Sequence, residues 1–378
     1  MIPLSDPDIT LDELEAVSAV LQSPRISSGL VARQFEIAFA NYVGRKHAVA
    51  MSSGTAGMVL ALKASGVGPE DEVIAPAFSW RETAHAVALC GAQTAFADID
   101  YWSGTVAPGK VEARITASTR AIIAANTNGH PAEWDALRSL AMARGLALIE
   151  DSTEAIGSRY KGGLVGTFGD LSVFDFSQPG PLICGEGGMV VTDDDDLAAV
   201  VRRHRARRPE ERASVVYGHD APQQSAMSDL SAALGLAQLR RIDRILAARK
   251  HVENWYFGTV KSFEGIKDPY IAPEVDEIHW FLYVVHLGAR FSKSSRDAIL
   301  EDLRVEEVEA SAYCAPMHAQ PFYTARGCRR GDLPVTEKIA DRCVALPFHR
   351  HLTEERVAFL VKTMKDASLN VGAGSAIY

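Results

Sequence analysis

The sequence predicts an α/β fold in which a mainly parallel, wound sheet is followed by a smaller C-terminal α+β domain. Three observations lead there. Short apolar runs alternate with helical patterns from about residue 47 to 195. A long apolar stripe at helical spacing follows, from Ser228 to about Tyr256. The chain has 378 residues, enough for two domains at about 150 residues each. These are expected at 1–256, with the N-terminal segment in the larger domain, and at 257–378.

In chain order, His47–Met51 reads as a strand, Ser52-Ser53-Gly54-Thr55 as a turn, and Ala56 to Ser65 as a helix. Asp71 to Ala75 and Thr94 to Ala97 are strands around a helix from Arg81 to Cys90. Arg120 to Ala125 and Leu146 to Glu150 are strands around a helix from about Ala132 to Arg144. Leu171 to Phe176 and Met189 to Thr192 close the series. Leu236, Leu239, Ile242, Leu246 and Val252 then form one helical stripe, and the small domain occupies about 257 to 363. The last residues, NVGAGSAIY, are small and weakly patterned and are expected to be loosely held.

Composition narrows the function. Hydrophobic residues make up 47% and charged residues 23%, as in a globular enzyme. A net charge of −9 disfavours a nucleic-acid surface. No apolar run approaches the length needed to span a bilayer. The opening MIPLSDPDIT has no basic or apolar leader pattern, so a cytoplasmic location is expected. Five scattered cysteines without a CxxC pair fit reduced thiols, and no histidine spacing suggests a metal.

In a wound parallel sheet, ligands bind at the carboxyl ends of the strands. SSGT, Asp151 and the segment after Phe176 should therefore converge. The SSGT turn opens a helix, where free N–H groups and the dipole attract anions; a plain serine cap looks the same. Asp151 ends a buried strand, suited to pairing with a protonated ring nitrogen or to simple capping. Trp80 is placed either to stack on a planar ligand or to fill core. The basic run from Arg202 to Arg212 reads as a solvated helix end in preference to a diphosphate grip.

Taken in order, these segments resemble the sugar-aminotransferase (DegT/StrS) family of fold-type-I pyridoxal-phosphate (PLP) enzymes. The resemblance rests on FEIAFANYVGRKHAVAMSSGTAG, APAFSWRETAHAVALCGAQTAFADID, ALIEDSTEAIGSRYKGGLVGTFGDLSVFDF, GEGGMVVTDDDDLA, MSDLSAALGLAQL and GDLPVTEKIADRCVALPFHRHLT. It implies the PLP-dependent transferase fold and a homodimer with sites at the subunit interface. It also implies a small-molecule substrate: a keto or amino sugar, a cyclitol or an antibiotic intermediate. By position, Gly54 and Thr55 would hold the cofactor phosphate, Trp80 would stack on the ring, and Asp151 would pair with the pyridine nitrogen.

The pattern breaks where the family carries its Schiff-base lysine, five residues before GEGG. That position is Gly180, and no lysine occurs between Lys161 and Lys250. Without the amine there is neither an internal aldimine nor its proton shuttle. The family's phosphate-binding serine corresponds to Asp175, its partner-reaching asparagine to Gln224, a nearby arginine to Ala226, and its glutamine near the cofactor hydroxyl to Glu154. Three readings follow. In the first and preferred one, the protein is a repurposed enzyme in which Asp175 and Glu154 act as general acid and base. In the second, PLP or pyridoxamine phosphate (PMP) binds non-covalently; Asp151 and Trp80 favour this, whereas Asp175 and Gln224 oppose it. In the third, the protein is a non-catalytic partner of an active, lysine-containing paralogue.

Overall fold

The structure, a computed structural model, describes residues 1–79, 81–206, 222–260, 266–267 and 269–374. In chain order the first part of the chain forms α1 (Leu11–Leu21), α2 (Leu30–Val43), β1 (His47–Met51), α3 (Gly54–Ala64), β2 (Glu72–Pro76), α4 (Arg81–Leu89), β3 (Gln93–Ala97), α5 (Pro108–Glu112) and β4 (Thr119–Ala125). Then come α6 (Trp134–Arg144), β5 (Ala147–Asp151), β6 (Arg159–Tyr160), β7 (Gly163–Leu164), β8 (Leu171–Asp175), β9 (Gly188–Thr192), α7 (Asp195–Arg205), α8 (Asp229–Arg240) and α9 (Ile242–Val260). The remainder comprises β10 (Ile266–Lys267), β11 (Val275–Glu277), β12 (Tyr283–Leu287), α10 (Lys293–Val305), β13 (Ser311–Ala312), α11 (Pro321–Thr324), α12 (Pro334–Ala340), β14 (Cys343–Leu346) and α13 (Glu354–Gly374).

The large sheet has the order β1-β9-β8-β5-β4-β2-β3. Strands β8, β5, β4, β2 and β3 are parallel; helices α4, α5 and α6 make the crossovers from β2 to β5, and the β6–β7 hairpin lies in the connection from β5 to β8. Strand β9 enters antiparallel between β1 and β8, so the wound sheet carries one reversed strand. The insertion depends on glycine. A Cβ on Gly188 would lie 2.6 Å from both the carbonyl carbon of Ser53 and the amide nitrogen of Gly54. Buried aliphatic side chains such as Val59, Leu62, Val73, Ile123 and Val190 pack helices onto one face, and Phe35, Phe39, Phe174 and Phe176 form an aromatic cluster on the other. A four-stranded antiparallel sheet, β10-β12-β14-β13, forms the smaller body.

Four expectations need correction or restriction. The first residues do not belong only to the large domain: Ile2 bridges Val308, and Phe348 N donates to Leu4 O, which fastens the N-terminus to the small sheet. The long helix from Ser228 is two helices, broken at Arg241, whose ψ of 6° leaves the helical range. Arg241 instead turns inward to pair with the buried carboxylates of Asp8 and Glu13, a tertiary contact that outweighs the sequence's helical periodicity. The terminal small residues continue α13 as far as Gly374, and residues 375–378 lie outside the described residues. Of the basic run, Arg202 to Arg205 end α7, and residues 207–212 lie outside the described residues.

The two sheets are tied by buried polar groups. Arg249 on α9 donates to the carbonyls of Phe348, Trp280 and Phe281 at 2.7–3.0 Å, and its guanidinium lies 4.4 Å from the Phe348 ring. Burial lowers its pKa to about 10. No described helix is long and apolar enough to cross a membrane.

Candidate functional site

The carboxyl ends of β5 and β8 lie side by side in parallel register, with Asp151 opposite Val173. Side chains alternate along a strand, so adjacent carboxylates on β5 part company. Glu150 turns away and accepts hydrogen bonds from Asn126, Ser152, Gly166, Phe168, Gly169 and Ser172, which makes it a structural anchor for the 166–169 loop. Asp151 turns the other way, toward the start of α4. Its Oδ2 accepts from the Thr83 hydroxyl at 2.5 Å and its Oδ1 from the Thr153 amide at 3.1 Å. Burial raises its pKa against these hydrogen bonds, and the Asp175 charge adds to the rise.

Asp175 ends β8 at the N-terminus of α3. Its Oδ2 accepts the Gly54 amide at 2.6 Å. Its Oδ1 accepts the Ser177 amide at 2.8 Å and the Ser177 hydroxyl. The Ser53 hydroxyl caps the same helix by accepting from Ala56 N at 3.1 Å. The turn is therefore both things its residues suggested, a capped helix start and an anion seat, and the anion in that seat is a side chain of the same protein.

Glu154 follows β5 by three residues and is buried. Its Oε2 accepts the Asn128 amide at 2.6 Å and the hydroxyl of Tyr313, which approaches from the small sheet. Burial pushes its pKa up to about 7; the two hydrogen bonds hold it down and the Asp151 charge raises it. Its other oxygen, Oε1, takes no hydrogen bond from the described residues. Each of the three carboxylates thus answers to a different element, and Asp151 is the one whose charge links the other two. The sequence expected Asp175 and Glu154 to lie near each other; no hydrogen bond joins them among the described residues.

Asp175 contacts Gly54, and Asp151 is within electrostatic reach of both Asp175 and Glu154. Thr55 lies half-buried beside Gly54 in the first turn of α3. Gly180 sits half-buried in the loop from β8 to β9. A Cβ there would find only ordinary contacts, the nearest being Ser177 O at 3.4 Å. Gln224 is exposed, with φ of +52°, in a segment whose neighbour Ser225 accepts the Ser52 amide. Trp80 lies outside the described residues. Sequence reasoning missed Thr83, Asn128, Ser177 and Tyr313. Ser177, two residues beyond an aspartate, has a local signature; Tyr313, 159 residues from Glu154, has none.

The residues present do not fit a phosphorylated cofactor bound as the resemblance implies. The Gly54 amide assigned to its phosphate is already taken by Asp175, and Gly180 offers no amine. Among the described residues no group of three or more histidine, cysteine or acidic side chains is arranged to hold a metal ion.

A model of the DegT/DnrJ/EryC1/StrS aminotransferase family matches residues 7–365. The chain is 32% identical over 376 residues to the spore coat polysaccharide biosynthesis protein SpsC of Bacillus subtilis, covering 97% of this chain and 96% of that one. Among solved structures it resembles DesV of S. venezuelae, captured with a ketimine intermediate, at 30% identity and a TM-score of 0.88, covering 97% of this chain and 98% of that one. A Streptococcus pneumoniae protein solved in its PLP form gives 25% identity and a TM-score of 0.90, covering 98% of this chain and 99% of that one.

Proposed function

The chain belongs to the DegT/DnrJ/EryC1/StrS aminotransferase family, and from that premise we propose a repurposed enzyme of sugar, cyclitol or antibiotic biosynthesis that transfers protons through carboxylates and does not perform lysine-based transamination. One observation carries this reading. Glu154 is a buried carboxyl whose Oε2 is held by Tyr313 and Asn128, whose Oε1 takes no hydrogen bond from the described residues, and whose pKa burial pushes up to about 7. A group matched to neutral pH and fixed in place is what general acid–base catalysis needs.

In this reading Glu154 takes a proton from a keto or amino sugar, or a cyclitol, and returns it. Tyr313 fixes Oε2 and so orients the carboxyl, leaving Oε1 to accept the proton, and Asp151 tunes the charge beside it. No step runs through PLP or PMP. We place the protein in the cytoplasm as a homodimer. The apolar face of α1 supports the dimer: Leu11, Leu14 and Leu21 are 71%, 59% and 58% exposed, while Glu13 of the same helix is 1% exposed. That arrangement is inside-out for an isolated chain.

The test is solvent exchange. A panel of keto sugars and cyclitol ketones is incubated in D2O and followed by NMR at carbons next to the carbonyl. The wild type should introduce deuterium, the C–H electron pair passing to the enolate while the proton moves to Glu154; Glu154→Gln should not. Glutamate-dependent amination of the same panel on addition of PLP would overturn the reading.

A further inference from the structure

We infer that Asp175 is the protein's own substitute for a bound phosphate, so that the site at the start of α3 selects small molecules with no phosphate at that position and with a positively charged amine. The inference rests on the preceding reading only in placing a ligand here. A helix N-terminus presents unsatisfied amides and a positive dipole end, and an anion normally answers both. In α3 the answering anion is internal. The Asp175 carboxylate takes the Gly54 amide at one oxygen, and at the other it is pinned by the Ser177 amide and hydroxyl. It is thus held by donors on two sides and is not a free side chain that a ligand displaces by rotation.

Space points the same way. A Cβ on Gly54 would lie 2.6 Å from the Asp175 Cβ and 2.8 Å from its Oδ2, so the start of the helix and the aspartate are already in close contact. No gap between them remains for a phosphate. Charge sets the class of ligand. The charge acting on Asp151 is that of Asp175, and the charge acting on Glu154 is that of Asp151. A dianion brought to the start of α3 meets the Asp175 carboxylate already seated on the Gly54 amide and is opposed by it, whereas a protonated amine is attracted to it.

The matched probes are pyridoxamine and pyridoxamine 5′-phosphate, which share a cationic amine and differ in the phosphate; inorganic phosphate is the third. Binding is measured by calorimetry on the full chain. Wild type should favour pyridoxamine or bind the two alike, and should not respond to inorganic phosphate. Asp175→Ser should turn tenfold or more toward the phosphorylated probe and gain competition by inorganic phosphate. Asp175→Asn, which keeps the shape but not the charge, serves in its place if the serine variant does not fold. A wild type that prefers the phosphorylated probe tenfold, or a folded variant that gains nothing, overturns the inference. A wild type that introduces no deuterium into the ketone panel yet shows this Asp175-dependent discrimination sinks the acid–base reading alone.

Discussion

Tyr313 donates its hydroxyl to Glu154 Oε2, joining a residue just after β13 of the small sheet to one just after β5 of the large sheet. Both groups are buried, so the bond spans the two bodies of the protein out of contact with bulk water. It also lowers the Glu154 pKa against the larger effect of burial. The proton affinity of the site is thus set jointly by the two sheets.

The first prediction concerns stability against pH. Glu154 has its pKa raised from 4.5 to about 7 on folding. Between those values the native state holds a proton that the unfolded state has lost, so stability falls as pH rises through that window and is flat above it. The shift corresponds to roughly 3 kcal/mol. Glu154→Gln should remove most of this slope in urea titrations from pH 5 to 8, becoming relatively more stable at the alkaline end. An unchanged slope would show that Glu154 titrates normally.

Tyr313→Phe removes a hydrogen bond to the charged form and should raise the Glu154 pKa further. The pH profile of deuterium exchange should shift to higher pH. A profile that loses amplitude without moving would mean that the tyrosine only supports packing.

Two glycines should respond differently. Gly188→Ala places a methyl against the Ser53–Gly54 backbone and should cost about 2 kcal/mol or more. Gly180→Ala meets nothing nearer than 3.4 Å and should stay within about 0.5 kcal/mol of wild type. Chemical denaturation of both variants decides the matter, and equal costs would refute the local packing.

Gly180→Lys alone should bind PLP poorly, whereas Gly180→Lys with Asp175→Ser should bind it ten- to a hundredfold better, read from the aldimine absorbance. At about 4 Å and an effective dielectric near 20, two unit charges repel by about 4 kcal/mol, and water and relaxation reduce this. Equal affinities would mean that Asp175 does not face the phosphate.

Sedimentation at micromolar concentration should show a dimer, and Leu11→Glu with Leu14→Glu should give a folded monomer. Both leucines lie on the exposed apolar face of α1. A wild-type monomer would remove the dimer from the proposal.

The wound sheet was legible in the sequence because strand and helix periodicities are local, and the apolar runs of β2, β4 and β5 fall close to where they were read. That residue 180 is glycine was equally legible, whatever surrounds it. A parallel sheet brings its carboxyl ends to one edge, which is why SSGT, Asp151 and the segment after Phe176 were expected to converge; the contact described there is that of Gly54 with Asp175. Other features were decided only by tertiary structure. Reversed β9 brings Gly188 against the Ser53–Gly54 backbone, where no side chain fits, and the break at Arg241 accompanies its pairing with carboxylates more than 200 residues away. The division of labour among the carboxylates was likewise hidden. Asp175 spends its charge on an amide 121 residues distant, and Glu154 gains its proton affinity from burial beneath Tyr313. Periodicity reports which face a residue occupies. Hydrogen-bond partners and desolvation depend on what the rest of the chain brings to that face, and those alone separate a structural carboxylate from one able to exchange a proton.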